Sequence, residues 1–323
     1  MDWSRIRRRR IETDRPHGVW ASLDELIRIR FRARDFSFQP RQPVTSILAG
    51  RYASRLRGRG LDFEELRRYL PGDDIRGMDW RVTARTRQPH VRVYSEEKDR
   101  TVLLVVDQRL NMFFGSRNRL KSVTAAELAA LGAWRALDVG DRAGLVAFND
   151  ETLREVRPQR SEATVMTILQ QVLELNHALR ADSPVTPDPG KLNQALEAAL
   201  RLARHDTLVV IVSDFQGVDE RSERLIARIA AHNDVLGVLV HDRLRQDPPS
   251  ERLPVSDGRR QLEVDLGDGG LRQRLIADYQ EEQQRIARFL RRLSAPLLMI
   301  DNRDDVVAQV RRLLGVRGRR AHG

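Results

Sequence analysis

The chain has 323 residues, of which 41% are hydrophobic and 32% charged, with a formal net charge of +11 and no cysteine. This length and apolar content suffice for one large domain or two modest ones. The lack of cysteine excludes disulfides and thiolate metal sites, as is typical of a reducing compartment. Apolar runs such as Val102–Val106 fall far short of the ~20 residues of a membrane span. No secretory leader is recognisable, so we expect a soluble, cytoplasmic protein.

Most of the positive charge lies in the first third of the chain. Residues 1–100 contain 24 Lys and Arg against 15 Asp and Glu, whereas the remaining residues contain 33 against 31. The excess is concentrated in three Arg-rich segments, Arg5–Arg10, Arg28–Arg34 and Arg51–Gly60. Such a surface attracts polyanions and also promotes solubility. We expect an acidic partner protein rather than nucleic acid, because the aromatics of these segments are too few and irregular for base stacking.

The N-terminal region is predicted to contain two helices and a hairpin. Apolar spacing over 23–29 predicts a short helix, and a second, basic helix is predicted over 44–57. Residues 78–97 read as two strands joined near Arg87–Pro89. We expect this β-hairpin to extend the main sheet or to cover its edge.

From Thr101 onward, β-rich apolar runs alternate with helical patterns. Strands are predicted at 101–107, 141–148, 152–157, 207–214, 235–242 and 296–300. Helices are predicted at 120–138, 161–177, 191–204, 220–232, 271–293 and 303–314, with a hairpin within 242–266. This alternation predicts an α/β fold with a doubly wound, mostly parallel sheet. The predicted domains are a disordered basic lead-in (1–20), an N-terminal extension (21–100), the α/β domain (101–315) and a disordered tail (316–323).

Two short segments carry the most specific pattern in the chain. Tyr69–Trp80 reads YLPGDDIRGMDW, and the run TVLLVVD ends at Asp107 further along. Pro-Gly followed by two aspartates is typical of a turn, and an apolar run that ends in Asp is typical of a strand end near a ligand. In this order and spacing they resemble the bacterial family called domain of unknown function 58, over about 23–314. The resemblance implies a von Willebrand factor A-like, Rossmann-like fold for the second half.

In von Willebrand factor A-like domains, a metal lies at the carboxyl ends of the strands. The pattern is Asp-x-Ser-x-Ser after the first strand, a Thr in a later loop and an Asp after the central strand. By this resemblance Asp107 takes the first position and Asp214 the last. Arg109 and Asn111 stand where the two serines belong, and Lys191 lies near the expected threonine. The resemblance therefore implies a degenerate metal-ion-dependent adhesion site.

Three interpretations of this site remain open from the sequence. The metal is lost, and Asp107 and Asp214 only cap strand ends. Alternatively Arg109, with Lys191, pairs with the two carboxylates in place of the ion. Lastly Asp107, Asn111 and Asp214 bind Mg²⁺ weakly, although Arg109 opposes this because a guanidinium is always charged and accepts no hydrogen bond. We expect no cofactor other than this weakly bound Mg²⁺, if any.

The YLPGDDIRGMDW block crowds charge and aromatic side chains into a few residues. Its pattern is carried by Tyr69, Pro71, Gly72, Asp73, Asp74, Arg76, Asp79 and Trp80. One interpretation is a structural corner, in which aspartates cap the turn and Trp80 is buried against the sheet. The other is a recognition surface for a partner protein.

Catalytic signatures are missing from the sequence. It has no phosphate-binding Gly-x-x-x-x-Gly-Lys loop, no histidines at metal-ligand spacing and no Gly-x-Ser-x-Gly elbow. We therefore expect a non-catalytic protein-interaction module. The resemblance implies an adaptor or co-chaperone that links a MoxR-type AAA+ ATPase to a client protein. The alternatives are a Mg²⁺-dependent hydrolase or nuclease built on Asp107 and Asp214, and nucleic-acid binding by the basic first third.

Overall fold

The computed structural model describes residues 18–33, 61–70, 75–96, 100–256, 261–267 and 269–314. Residues 18–33 belong with residues 100–314 to one compact unit, and residues 61–96 belong to a second, smaller unit. The expected N-terminal extension over 21–100 is therefore divided between the two units. The predicted helix over 44–57, the lead-in before residue 18 and the tail over 316–323 lie outside the described residues.

The described elements follow the predicted alternation from residue 101 onward. The helices are α1 (Leu23–Arg28), α2 (Trp80–Thr86), α3 (Lys121–Asp138), α4 (Glu162–Ala178), α5 (Gly190–Leu202), α6 (Glu220–Ala230), α7 (Gly269–Arg292) and α8 (Val306–Leu314). The strands are β1 (Leu61–Arg68), β2 (His90–Glu96), β3 (Thr101–Asp107), β4 (Arg142–Phe148), β5 (Leu153–Gln159), β6 (Thr207–Ser213), β7 (Asp234–His241), β8 (Arg252–Ser256), β9 (Gln261–Asp265) and β10 (Leu297–Asp301).

Six of these strands form the central sheet of the larger unit, in the order β10-β7-β6-β3-β4-β5. All neighbours are parallel except β4 and β5, which are antiparallel. The chain starts in the middle with β3, builds outward to β5, and then returns to build the other half from β6. This is the doubly wound arrangement, which confirms the predicted fold class. The hairpin predicted within 242–266 is also confirmed, by antiparallel β8 and β9.

Helices cover both faces of the sheet, which explains why its strands other than β5 read as mostly apolar runs. Along β3, Leu104 and its alternate neighbours face a core shared with α3, α4 and α8. Leu103 and Val105 face a second core shared with α5, α6 and α7. Helix α3 is buried almost all round because it packs against the sheet and against α4.

The segment over 18–33 is fixed to the larger unit by buried hydrogen bonds. The indole nitrogen of Trp134 donates to the carbonyl of Leu26 at 3.0 Å, and the backbone N–H of Ala21 donates to Oδ1 of Asn176 at 2.8 Å. Leu26 itself is fully buried in the first core. The predicted helix over 23–29 is confirmed by α1, whose N-cap is Ser22.

The smaller unit corrects the predicted hairpin. Residues 80–86 form helix α2 rather than a strand, and β2 pairs with β1, a strand that was not predicted. Asp79 accepts hydrogen bonds from the backbone N–H groups of Arg81 and Val82, and Arg87 ends the helix with a φ of 55°. These caps outweigh the β-branched residues that suggested a strand. β1 and β2 form a sheet of their own, so they do not extend the central sheet.

Among the described residues, no helix is both long enough and apolar enough to cross a membrane.

Candidate functional site

The candidate site lies at the carboxyl edge of the sheet, where the strand order reverses between β3 and β6. Loops leave such a point in opposite directions and open a crevice, which is where doubly wound sheets bind ligands. Asp107 is the last residue of β3, and Asp214 directly follows β6. The fold therefore brings these two predicted residues to neighbouring strand ends, and both are buried.

Asp107 is held by a guanidinium and a hydroxyl. Nε of Arg109 donates to Oδ1 at 3.0 Å, and Nη2 donates to Oδ2 at 2.7 Å. The hydroxyl of Ser213 also donates to Oδ2, at 2.7 Å. Burial by itself lowers the pKa of Arg109, but the nearby carboxylates, chiefly that of Asp107, raise it overall. The result is a bidentate, charged pair sealed from solvent, since Arg109 is only 3% exposed.

Asp214 is held in a similar way by a different cation. Nζ of Lys121, the first residue of α3, donates to Oδ2 at 2.6 Å. Nδ2 of Asn111 donates to Oδ1 at 2.7 Å, and the backbone N–H of Gln216 donates to the same oxygen at 3.0 Å. Burial acts to raise the pKa of Asp214, but Lys121 and these hydrogen bonds lower it overall. The carboxylate is therefore ionised at neutral pH.

The turn after β6 is shaped around Arg109. Its Nη2 donates to the carbonyl of Gln216 at 3.0 Å. Phe215 has a left-handed φ of 57° although it is buried, a strained conformation that its surroundings must enforce. Gly217 has a φ of 82°, and a Cβ there would lie 2.9 Å from Cβ of Pro189. The turn thus has a single, tightly determined path.

A third carboxylate, Asp150, ties neighbouring loops together and was not predicted. Its Oδ2 accepts a hydrogen bond from the backbone N–H of Leu110 at 2.6 Å. Its Oδ1 accepts one from the backbone N–H of Asp188 at 2.9 Å. Asp150 therefore fixes the loop that carries Arg109 relative to the loop before α5.

Gln108, which lies between Asp107 and Arg109, begins a series of buried hydrogen bonds made by side-chain amides. Its Nε2 donates to the carbonyl of Ser122 at 2.9 Å, and its Oε1 accepts from Nδ2 of Asn176 at 3.0 Å. Oδ1 of Asn176 in turn accepts from Ala21. The candidate site is thereby connected to the N-terminal segment through side-chain amides.

Lys191, predicted to help replace the metal, lies elsewhere. Its Nζ donates to the carbonyl of Glu151 at 3.1 Å and to Oε1 of Gln194 at 3.3 Å, in an exposed position. Helix α5 begins at Gly190, so Lys191 lies in its first turn, after the loop. The cation that pairs with Asp214 is Lys121. The sequence carried a usable signal, since Lys121 opens the helix after β3, and such helices begin at the carboxyl edge of the sheet.

The donor set does not fit the divalent metal that the resemblance to von Willebrand factor A-like domains implies. Mg²⁺ requires oxygen ligands with available lone pairs in an octahedral arrangement. Asp214 is ionised and can only accept hydrogen bonds, so the atom of Asn111 that faces it is the amide nitrogen and not the oxygen. Arg109 and Lys121 add two positive charges at the same place. Within the described ranges, no group of three or more His, Asp or Glu side chains is placed to hold a metal.

The second predicted site, the YLPGDDIRGMDW block, lies in the smaller unit. Pro71, Gly72, Asp73 and Asp74 lie outside the described residues, as does the side chain of Arg76. The backbone N–H of Tyr69 donates to the carbonyl of Pro89. Asp79 is buried as the cap of α2, whereas Trp80 is 67% exposed. The interpretation in which Trp80 is buried against the sheet is therefore wrong.

These features define a doubly wound α/β protein with a self-neutralised pair of carboxylates at its switch point. The family model for "Protein of unknown function DUF58" matches residues 65–285, and the chain belongs to that family.

Relatives of similar length carry no assigned role. The uncharacterized proteins Rv1480 of Mycobacterium tuberculosis and Mb1516 of Mycobacterium bovis are each 30% identical to the chain over 297 residues, covering 89% of both sequences. Among solved structures, the conserved hypothetical protein BatB from Bacteroides thetaiotaomicron matches with a TM-score of 0.38 and 13% identity, over 65% of this chain and 93% of that one.

Proposed function

We propose that the chain is a non-catalytic protein-interaction module that acts as an adaptor or co-chaperone with a MoxR-type AAA+ ATPase. The observation that supports this most directly is a set of exposed apolar side chains in the smaller unit. Leu70 is 59% exposed, Ile75 is 60% exposed and Trp80 is 67% exposed. All three belong to the YLPGDDIRGMDW block. We call them the motif surface.

Large exposed apolar side chains at neighbouring sequence positions are typical of surfaces that another protein covers. Tryptophan is also among the residues that contribute most to protein–protein affinity. Among the described residues that follow Trp80 along α2 and its end, the exposed charged ones are basic: Arg81, Arg85 and Arg87. Exposed apolar side chains together with these arginines suit an acidic partner, whose approach the charges would accelerate.

The carboxyl edge of the central sheet supports a non-catalytic role. A general base or a metal ligand needs a carboxylate with an available oxygen. Asp107 and Asp214 are each paired with a cation, and their oxygens accept further hydrogen bonds. This arrangement disfavours the hydrolase and nuclease alternatives. An ATPase partner, together with the lack of cysteine, favours a cytoplasmic location.

The proposal is tested by measuring the affinity of the full chain for a MoxR-type ATPase from the same genome, with and without ATP. Trp80→Ala should weaken binding by about tenfold or more, because a central tryptophan contributes at least ~1–2 kcal/mol. Phe31→Ala is the matched control, since Phe31 is an exposed aromatic, at 71%, in the other unit.

Circular dichroism must show that both variants keep the native helix content. Wild-type protein that does not bind the ATPase in either nucleotide state would contradict the proposed partner. Binding that Phe31→Ala weakens and Trp80→Ala leaves unchanged would contradict the motif surface.

A further inference from the structure

We propose that Arg109 and Lys121 are built-in counter-ions that replace the divalent cation implied by the fold, so that the carboxyl edge is formed and closed without metal. This inference concerns the larger unit alone and does not depend on the proposed ATPase partner.

The charge balance at the edge is the first argument. Two buried carboxylates, Asp107 and Asp214, meet two buried cations, Arg109 and Lys121, which are 3% and 5% exposed. One divalent ion would supply the same total charge. A buried carboxylate without a partner is strongly unfavourable, and a divalent ion added to these four groups would leave a positive excess that the half-buried carboxylate of Asp150 could neutralise only in part.

The geometry of the replaced ligands is the second argument. In the resembled pattern, the residues two and four positions after the first aspartate supply hydroxyl oxygens to the metal. Here the residue two positions on, Arg109, binds Asp107 through two nitrogens, and the residue four positions on, Asn111, donates an N–H to Asp214. In the resembled pattern both positions supply oxygen lone pairs to a metal, whereas in this chain both donate N–H hydrogen bonds to a carboxylate. Lys121 completes the exchange from the start of α3.

The loops supply the third argument, because they are built to fit the guanidinium. Arg109 also donates to the carbonyl of Gln216, and its Nη1 lies 3.8 Å from the position of a Cβ on Gly217. The hydrogen bond to Gln216 ties the left-handed turn after β6 to the guanidinium.

The first experiment titrates the wild-type chain with Mg²⁺ and Mn²⁺ by calorimetry and measures its thermal midpoint with either metal or with EDTA. We expect no saturable binding up to millimolar metal and the same midpoint in all three conditions. Saturable binding that Asp107→Asn abolishes would overturn the inference.

The second experiment removes the counter-ions with the double substitution Arg109→Ser and Lys121→Ala. The exposed pair of carboxylates and the new hydroxyl should now bind Mg²⁺. The thermal midpoint should then rise by a few degrees for each tenfold excess of metal over its dissociation constant. Adding Asp107→Asn to the double variant should abolish this response, and Lys191→Ala, a lysine away from the edge, should produce none.

A folded double variant that does not respond to Mg²⁺ or Mn²⁺ would overturn the replacement of a metal by these cations. If the double variant does not fold, Arg109→Ser alone is titrated and judged by the same criterion.

Discussion

Lys121 shows how much a single residue depends on the three-dimensional arrangement. The sequence pointed to a cation near the carboxylates, and Arg109 was identified from its spacing to Asp107. The second cation was assigned to Lys191, because the resembled pattern places a threonine near it, but Lys191 lies in the first turn of α5. The true partner of Asp214 is 93 residues away along the chain. The start of α3 at the carboxyl edge of the sheet determines that contact, so the position of Lys121 at the start of the predicted helix was the signal, and its spacing from Asp214 was not.

The raised pKa of Glu127 predicts how the stability of the protein depends on pH. It lies on α3 with a side chain 18% exposed, and burial raises its pKa from 4.5 to about 7, although Arg119 pairs with it at 2.6 Å. A carboxyl whose pKa is raised on folding stabilises the native state below its unfolded pKa. That contribution is lost as the pH rises from about 4.5 to about 7.

We therefore predict that Glu127→Gln gains stability relative to wild type across this pH range, by up to about 3 kcal/mol, because the amide cannot ionise. Urea unfolding of both proteins at several pH values measures the difference. Glu162→Gln is the control, since Glu162 is 57% exposed and paired with Arg30. A constant difference between Glu127→Gln and wild type from mildly acidic to mildly alkaline pH would contradict the prediction.

At the scale of the element, hydrophobic periodicity predicted the strands and helices of the larger unit well. In the smaller unit, helix capping determined that residues 80–86 form a helix. Apart from β5, the strands of the central sheet are mostly apolar runs between helical patterns, so their type and their order along the chain could be read directly. Helix α2 has seven residues and β-branched Val82 and Thr83, and its existence depends on the cap at Asp79. Short elements carry little periodic signal, so local hydrogen bonds outweigh it.

Gly132 lies in the middle of α3, where alanine would favour the helix by about 1 kcal/mol. A Cβ there would meet Cδ2 of Leu104 at 2.9 Å. Leu104 and Gly132 both line an apolar cavity of about 30 Å³ beneath α3. The methyl group of Leu104 can move into that space, so the contact can be relieved.

We predict that Gly132→Ala stabilises the protein by up to about 1 kcal/mol. Gly144→Ala should destabilise it, because a Cβ there meets the ring of Pro158 at 2.6 Å and its backbone nitrogen at 3.0 Å. Chemical denaturation distinguishes the two variants. A loss of stability in Gly132→Ala as large as that in Gly144→Ala would show that Leu104 does not move.

At the scale of the whole molecule, the family and the doubly wound sheet were predictable, but the place of residues 18–33 in the larger unit was not. The YLPGDDIRGMDW block and the TVLLVVD run indicated the family, and the alternation of strands and helices predicted the doubly wound sheet. The assignment of residues 18–33 to the larger unit depends on contacts with Trp134 and Asn176. Such contacts join positions over a hundred residues apart, so no local pattern reveals them.

The uneven charge of the chain leads to a prediction for binding kinetics. Residues 1–100 carry most of the net charge of +11. With an acidic ATPase as partner, the association rate should fall by about tenfold or more as salt rises from low to physiological concentration, while the dissociation rate changes little. Stopped-flow or surface-based kinetics would measure both rates. An association rate independent of salt would argue against electrostatic steering.

The hydrogen bonds of the N-terminal segment have a consequence for how the protein is made. Ala21 leaves the ribosome 155 residues before its partner Asn176, and Leu26 leaves 108 residues before Trp134. At typical rates of synthesis this delay is roughly ten seconds. During that time the apolar face of α1 has no helix to pack against, and the smaller unit is synthesised in between. The larger unit therefore cannot fold strictly in the order of synthesis, because its first segment has to wait for α3 and α4.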